Sequence, residues 1–239
     1  MKGILREVRS MLGIVVNGNW IFVDEARSLL EGCLRNGVDI PNLCFLEEML
    51  DPPASCRMCF VEIEGQGQPL MACKVRPWAG MVVRTDTDQV RRLQQTALRL
   101  LLTVHEARCK PCPSNKRCDL QRLVRLLGVR IRPKRYEHLD RTVEEVEEHP
   151  VLEIYHPRCI LCSKCIEVCR NRNGYSLLTF ARRGIDTFIA ALGETGEEKP
   201  VCEECLACIE VCPVSAILIK NSSAEADEPE REQEAEASV

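Results

Sequence analysis

An α+β chain built from three small, metal-stapled modules is what the sequence predicts, and three observations carry that prediction. Sixteen of the 239 residues are cysteine. Fifteen of them, with one histidine, fall into four groups of four. Between the groups the apolar pattern changes from strand-and-turn alternation near the N-terminus to helical spacing further on. The first ten residues carry Lys2, Arg6, Glu7 and Arg9 and no apolar segment, so no secretory signal is read there, and sixteen cysteines in a cytoplasmic chain point to metal rather than disulfides. The longest apolar stretch, Leu98 to Val104, is broken by Arg99 and Thr103 and falls short of the roughly 20 residues that span a bilayer. Aromatic residues make up 4% of the chain and the net charge is -4. Cores must rest on Leu, Val and Ile, and nothing global attracts nucleic acid or an anionic membrane.

Taken in order, Gly13 to Asp24 reads as a hairpin, with Ile14 to Val16 and Trp20 to Val23 flanking a turn at Asn17, Gly18 and Asn19. Glu25 to Asn36 reads as a helix with Leu29, Leu30, Cys33 and Leu34 on its apolar side and Gly37 at its end. A second strand pair is expected between Phe60 and Ala72 around Gly65 and Gly67. Hairpin, helix, ligand loop and further strands together suggest a small β-grasp domain. A helix follows over Asp86 to Val104, in which Val90, Leu93, Ala97, Leu101 and Val104 recur at helical spacing. Another starts after Cys118, with Leu120, Leu123, Val124 and Leu127 facing one way and Gly128 as its stop.

The ligand groups differ in specificity. Cys159, Cys162, Cys165 and Cys169 are separated by 2, 2 and 3 residues, and Cys202, Cys205, Cys208 and Cys212 repeat that spacing before Pro213. Three thiolates on one tight loop with a fourth from elsewhere suit a cubane, whereas structural zinc usually takes two ligands from each of two separated knuckles. In the two-cluster ferredoxin arrangement the fourth cysteine of each run ligates the other cluster. Cys159, Cys162, Cys165 and Cys212 would then hold one [4Fe-4S] centre, and Cys169, Cys202, Cys205 and Cys208 the second. Arg170 stands where such a run often carries proline, and 32 residues separate Cys169 from Cys202.

Cys44, Cys56, Cys59 and Cys73, with 11, 2 and 13 residues between them, form an extended set in the manner of a [2Fe-2S] site, although the spacing differs from the plant type. His105, Cys109, Cys112 and Cys118 mix one imidazole with three thiols, a set that zinc also accepts. Its place between stronger iron-sulfur groups favours a [4Fe-4S] cluster.

The ordered motifs "VDIPNLCFLEEMLDPPASCRMCFVEIEG", "HEARCKPCPSNKRCDLQ", "RCILCSKCIEVC" and "CEECLACIEVCPVSAI" resemble the diaphorase iron-sulfur subunit of soluble NAD-linked [NiFe] hydrogenases. They are similar also to the N-terminal part of the complex I large iron-sulfur subunit and of [FeFe] hydrogenases. The likeness spans about residues 12 to 220. It implies one [2Fe-2S] cluster on Cys44, Cys56, Cys59 and Cys73, a [4Fe-4S] cluster on His105, Cys109, Cys112 and Cys118, and two further [4Fe-4S] clusters in a ferredoxin-like part. Implied modules are 12–84 (β-grasp), 85–149 (one-His, three-Cys module and linker) and 150–220 (two-cluster ferredoxin-like), followed by an acidic, disordered tail at 221–239. The short length after Pro213 suits a stand-alone relay subunit.

The family sits in cytoplasmic NAD(P)-linked complexes, some of them electron-bifurcating. The resemblance therefore implies an FMN- and NAD(P)H-binding flavoprotein partner, a small [2Fe-2S] subunit, and a hydrogenase as the catalytic partner. A formate dehydrogenase or a complex I-like enzyme is the alternative, and a zinc-bound structural scaffold is the rival of another class.

What remains is assigned to structure. Cys33 reads as a buried core thiol. His138, His149 and His156 do not fall at ligand spacing and read as surface or packing residues. The ten Lys and Arg between His105 and Arg135 lack interleaved aromatics, so they read as solvated faces, able to offset anionic clusters and to meet an acidic partner rather than nucleic acid. Asp140 to Glu153, with six acids against Arg141, reads as a linker or a second contact face. No G-x-G-x-x-G follows a strand, Gly65-Gln66-Gly67 falls in a hairpin, and neither a Walker motif nor a catalytic triad is present. The chain is expected to move electrons and to convert no substrate itself.

Overall fold

The alternation of Ile14 and Val16 with Ile21 and Val23 closes into a hairpin: β1 (Met11–Val16) pairs antiparallel with β2 (Asn19–Asp24). A computed structural model describes residues 11–47, 49–132, 136–139, 149, 151–192 and 202–220. Val16 lies opposite Asn19, so the turn is the two residues Asn17 and Gly18 and not the three expected. Their φ values of 50° and 84° match the two left-handed positions of a two-residue turn, which Asn and Gly tolerate. Asn17 also ties the turn to the rest of the sheet, because its amide donates to Thr85 Oγ1 (2.7 Å) and its carbonyl accepts from Thr85 N (2.9 Å).

Helix α1 (Leu29–Arg35) starts later than Glu25. Asp24 holds the intervening turn, its Oδ1 accepting from Ala26 N (2.9 Å) and its carbonyl from Arg27 N (3.1 Å), and Ser28 Oγ then caps the helix by accepting from Glu31 N (3.2 Å). Where α1 crosses β2, a Cβ on Gly32 would stand 2.6 Å from Val23 Cγ1, so glycine permits the contact. β3 (Phe60–Ile63) and β4 (Leu70–Met71) form the expected second pair, and β5 (Val82–Arg84) completes a five-stranded sheet of order β2-β1-β5-β3-β4, parallel only between β1 and β5. Ile14, Val16, Leu29, Leu30, Val61 and Val83 fill the core between the sheet and α1.

Helix α2 (Asp88–Val104) begins after the cap Thr87, whose Oγ1 accepts from Val90 N (3.2 Å). Its most buried positions are Val90, Gln94, Leu98 and Leu102, one residue on from most of the predicted stripe; Leu93, Ala97, Leu101 and Val104 are only half-buried. The difference has a cause: α2 packs on two sides. Gln94 Nε2 donates to Phe60 O of β3 (3.4 Å), while Leu98 and Leu102 enter a second core. Helix α3 (Asp119–Leu126) buries Leu120, Leu123 and Val124 and stops before Gly128, as read.

Beyond it, β6 (Leu152–Ile154) pairs antiparallel with β9 (Ile217–Ile219). Between them lie α4 (Lys164–Asn173), the hairpin of β7 (Leu178–Ala181) and β8 (Phe188–Ala191), and the short helices α5 (Cys202–Cys205) and α6 (Ala207–Glu210). The β7–β8 hairpin accounts for part of the long interval between Cys169 and Cys202. The acidic tail at 221–239 and most of the acidic run from Asp140 lie outside the described residues. Among the described residues, no helix is long and apolar enough to cross a membrane.

Candidate metal centres

Four buried thiols lie in two pairs where the sheet meets its long loops. Cys44 lies in the loop after α1, Cys56 and Cys59 precede β3, and Cys73 sits in a single helical turn after β4; none is more than 4% exposed. Cys44 Sγ and Cys56 Sγ are 3.3 Å apart. Hydrogen bonding between the two sulfurs holds Cys44 below the usual thiol range, against the effect of burial, and pushes Cys56 up. Cys59 and Cys73 form a second such pair: hydrogen bonding lowers Cys73 and raises Cys59, and Lys74 also helps to lower Cys73. Negative charge on Cys44 raises both Cys59 and Cys73, so the two pairs share one electrostatic neighbourhood. Arg35 of α1 anchors the Cys44 loop through an ion pair with Glu47 while also meeting Glu31 (3.0 Å).

His105 terminates α2 and is 7% exposed. Its Nδ1 lies 2.8 Å from the carbonyl oxygen of Arg158, an acceptor, so Nδ1 carries the proton and Nε2 keeps the lone pair that a metal would use. Cys109 and Cys112 occupy the following turn, half-buried, with Cys112 N donating to Cys109 O (3.2 Å). Cys118 caps the start of α3, 3.6 Å from Pro213 O; burial raises its thiol, and Cys112 adds to the effect.

The remaining eight cysteines surround α4, α5 and α6. Burial first, and then negative charge on Cys159 and Cys212, pushes Cys162 up to about 12. Burial raises Cys165 as well, followed by the charges of Cys162, Cys159, Cys212 and Cys208. Cys208 is pushed up to about 12 by burial and then feels Cys202, Cys169 and Cys205. Cys212 thus lies in the field of the first run and Cys169 in that of the second. Backbone donors point at the sulfurs: Leu161 N to Cys159 (3.4 Å), Leu177 N to Cys169 (3.3 Å) and Ala216 N to Cys212 (3.2 Å). Such bonds favour thiolate over thiol.

Backbone conformation marks the same places. Nine described non-glycine residues have positive φ, and seven of them (Ala54, Arg57, Lys116, Leu161, Ser163, Leu206 and Ser215) lie within three residues of a grouped cysteine. Left-handed residues are costly for L side chains and collect where a loop must wrap a ligand and turn N–H groups inward. Among the described residues no three His, Cys, Asp or Glu side chains close on one metal-ion position. The donor set therefore consists of soft thiols grouped by neighbourhood, with inward backbone donors and one oriented imidazole, and that chemistry fits iron-sulfur clusters.

Cys33 lies apart from these groups. It is 0% exposed on the apolar side of α1, and burial alone pushes its thiol up to about 12. His149 Nδ1 accepts from Val151 N and Leu152 N (3.0 Å each), and His156 packs edge-on against Phe188 with Nε2 3.0 Å from Ile189 O. Both are packing residues, and His138 is exposed. The described cations of the basic run, including Arg108, Lys110, Arg122 and Arg125, are exposed as solvated faces. Sequence reasoning missed Glu106 and Tyr155, which join the segments carrying His105 and Cys159; neither has a motif that would single it out.

Residues 9–88 match the 2Fe-2S iron-sulfur cluster binding domain family. Residues 94–133 match the NADH-ubiquinone oxidoreductase-G iron-sulfur binding region. Over 214 residues the chain is 34% identical to an NADH-quinone oxidoreductase subunit of Rhizobium meliloti (strain 1021), an alignment covering 87% of this chain and 24% of that protein. It is 29% identical over 213 residues to the NADP-reducing hydrogenase subunit HndD of Solidesulfovibrio fructosivorans, covering 87% of this chain and 36% of the relative. A chain in the crystal structure of an NAD+-reducing [NiFe]-hydrogenase in the H2-reduced state superimposes with a TM-score of 0.76 at 25% identity, over 88% of both chains. The chain spans about a quarter to a third of the length of the curated relatives it matches. It is a mixed α/β protein with [2Fe-2S] and [4Fe-4S] binding regions, as the sequence motifs implied.

Proposed function

We propose that this chain, an iron-sulfur protein homologous to subunits of NAD(P)-linked hydrogenases and of NADH-quinone oxidoreductase, relays electrons between a flavin- and NAD(P)H-binding subunit and a hydrogenase catalytic subunit. The single observation that carries this reading is the grouping of buried and half-buried thiols into neighbourhoods with left-handed loop residues beside each. Cys44, Cys56, Cys59 and Cys73 hold a [2Fe-2S] cluster in a β-grasp unit of residues 12–84. His105, Cys109, Cys112 and Cys118 hold a [4Fe-4S] cluster in the module of 85–149. In the ferredoxin-like unit of 150–220, Cys159, Cys162, Cys165 and Cys212 hold a second [4Fe-4S] cluster, and Cys169, Cys202, Cys205 and Cys208 a third.

Bound at these sites, the clusters supply one-electron acceptance and release at fixed positions. Everything else is done by the polypeptide. It buries the sulfurs away from water, and it aims backbone N–H groups at Cys159, Cys169 and Cys212, which stabilises negative charge on them. His105 replaces a thiolate by a neutral ligand and leaves its site one charge less negative. The exposed cations around Cys109 to Arg132 offset the remaining negative charge and offer a face to an acidic partner.

Support for a hydrogenase partner comes from the structural likeness to the NAD+-reducing enzyme, which covers most of both chains. The likeness to the NADH-quinone oxidoreductase protein favours a complex I-like assembly as the second reading. The test is metal analysis of anaerobically purified protein. About fourteen irons per chain, from one two-iron and three four-iron clusters, is the expected result. Stoichiometric zinc with little iron would overturn it in favour of a structural scaffold. Copurification then separates the two assemblies by the catalytic subunit retained.

A further inference from the structure

The segments carrying His105 and Cys159 are joined by a compact polar seam. Glu106 N donates to Pro157 O (2.8 Å), one residue away from the bond of His105 Nδ1 to Arg158 O. The Glu106 carboxylate accepts from the Tyr155 hydroxyl through Oε2 and meets Arg108 Nε through Oε1 (2.8 Å). Tyr155 is fixed from two more directions: its backbone N–H donates to Ala216 O (2.7 Å), and the Arg158 guanidinium lies 4.3 Å from its ring centroid. A second contact between the same two modules lies where Ser114 and Ser215 hydroxyls meet, close to the approach of Cys118 Sγ to Pro213 O. Both contacts reach backbone adjacent to Cys159 or Cys212, and neither reaches the site of Cys202, Cys205 and Cys208.

We propose that Glu106 and Tyr155 are positioning residues that hold the His105 imidazole on the carbonyl of Arg158, making this hydrogen bond a direct link from a ligand of the one-His, three-Cys site to the backbone of the site of Cys159, Cys162, Cys165 and Cys212. The inference rests on the ligand sets proposed above. Three consequences follow from the geometry. The bond fixes which ring nitrogen faces the iron. By accepting from Nδ1–H, the carbonyl makes Nε2 a stronger donor, which disfavours reduction of the attached centre. It also places a chain of one hydrogen bond and a few covalent bonds between two redox sites, running from a ring nitrogen of one ligand to the backbone beside Cys159. Glu106 and Tyr155 touch neither proposed centre, so their influence passes through His105.

Glu106→Ala, Glu106→Gln and Tyr155→Phe separate this role from two simpler ones. Glutamine keeps an acceptor for the Tyr155 hydroxyl and removes the charge; phenylalanine keeps the ring and the charge and removes the hydroxyl. In the reduced holoprotein, the measurements are iron content, the EPR splitting that arises from spin coupling between neighbouring clusters, and the reduction potential of the His105-containing centre. The expected result is unchanged iron in all three variants, an altered splitting and a raised potential in Glu106→Ala and Tyr155→Phe, and the unsubstituted splitting in Glu106→Gln. If alanine and glutamine behave alike while Tyr155→Phe matches the unsubstituted protein, Glu106 acts only by its charge and the proposal is overturned. Unaltered splitting in every variant overturns it too. Failure of the ligand reading itself is distinguishable, because it registers as missing iron in the unsubstituted protein.

Discussion

Cys33 provides a sharp test of the division between ligands and core, because it is the one cysteine outside the four groups. It is 0% exposed, packs among Leu29, Leu30 and the sheet, and burial pushes its thiol up to about 12. Replacing it by alanine deletes one buried sulfur, a loss of about 1–2 kcal/mol for an atom of this size in a close-packed core. The thiol also carries a pH signature. A free thiol in the unfolded chain ionises near 8.5. Its folded value is raised, so below about 8.5 both states are neutral and the stabilisation is fully present; above that, the unfolded state ionises first and stability falls by about 1.4 kcal/mol per pH unit until about 12. At pH 10 this one residue should therefore have cost the protein about 2 kcal/mol relative to pH 8.5. Guanidinium unfolding of the holoprotein at several pH values measures it, with Cys33→Ala compared with the unsubstituted chain. The variant should begin less stable, show a shallower alkaline decline by that amount, and keep its full iron content. Loss of iron in Cys33→Ala, or an alkaline slope identical to that of the unsubstituted chain, would refute the assignment of Cys33 to the core.

Other expectations follow from the same geometry. His105→Cys should retain a four-iron cluster at a lower reduction potential, since a thiolate adds one negative charge, whereas His105→Ala should lower the iron count from about fourteen to about ten; redox titration followed by EPR reads both. Gly32→Ala should destabilise α1 against β2, because the methyl would lie 2.6 Å from Val23 Cγ1 and overpacking of about 1–3 kcal/mol exceeds much of the roughly 1 kcal/mol that alanine contributes to helix formation. The double variant Gly32→Ala with Val23→Ala should recover part of that loss in the same unfolding assay. Acidification should strip iron from all sites, since every ligand thiolate must take up a proton as the metal leaves; iron retained after incubation across falling pH measures this, and retention independent of pH would contradict thiolate ligation.

The proposed ligand groups stand out in the sequence because the chemistry they would serve imposes their spacing. Three thiolates for one cubane must come from a single short loop, and that constraint is visible without any structure. The hairpin of β1 and β2, the pair of β3 and β4, and the stop of α3 at Gly128 were legible for a similar reason: local turn chemistry decides them. What escaped were choices made by tertiary contacts. The start of α1 shifts to Ser28 because the Asp24 side chain captures the preceding turn, and an aspartate cap looks no different from an aspartate in a helix's first turn until the partner N–H groups are seen. On α2, Leu93 and Leu101 are as apolar as Leu98 and Leu102; only the second packing partner decides which pair is covered, and it even buries the polar Gln94. The seam of Glu106 and Tyr155 joins positions 49 residues apart and follows no periodicity, so nothing local announces it.

The three modules read from sequence do not each keep a private core. The first core is centred on the five-stranded sheet and α1, with Ile40, Phe45 and Ala54 added from the loops. The second draws Leu43, Cys44, Cys56 and Met58 from the first module, Leu98, Leu102, Leu120 and Leu123 from the second, and Ile160, Cys162 and Val214 from the third. Sulfurs of three proposed ligand sets therefore line one continuous apolar body, and burying them there has two effects at once. It brings the sets together without any linker, which is the arrangement a relay needs. It also pushes thiols such as Cys162 up to about 12, so that in the absence of metal these sulfurs keep their protons, in contrast to Cys44. Binding iron exchanges those protons for metal–sulfur bonds inside the shared core, so loading one set alters the packing on which the neighbouring sets rest. Cluster assembly should accordingly be cooperative between modules, and cutting the chain at the 84/85 boundary would expose Leu43 and Met58 on one side and Leu98 and Leu102 on the other, rather than release two finished domains.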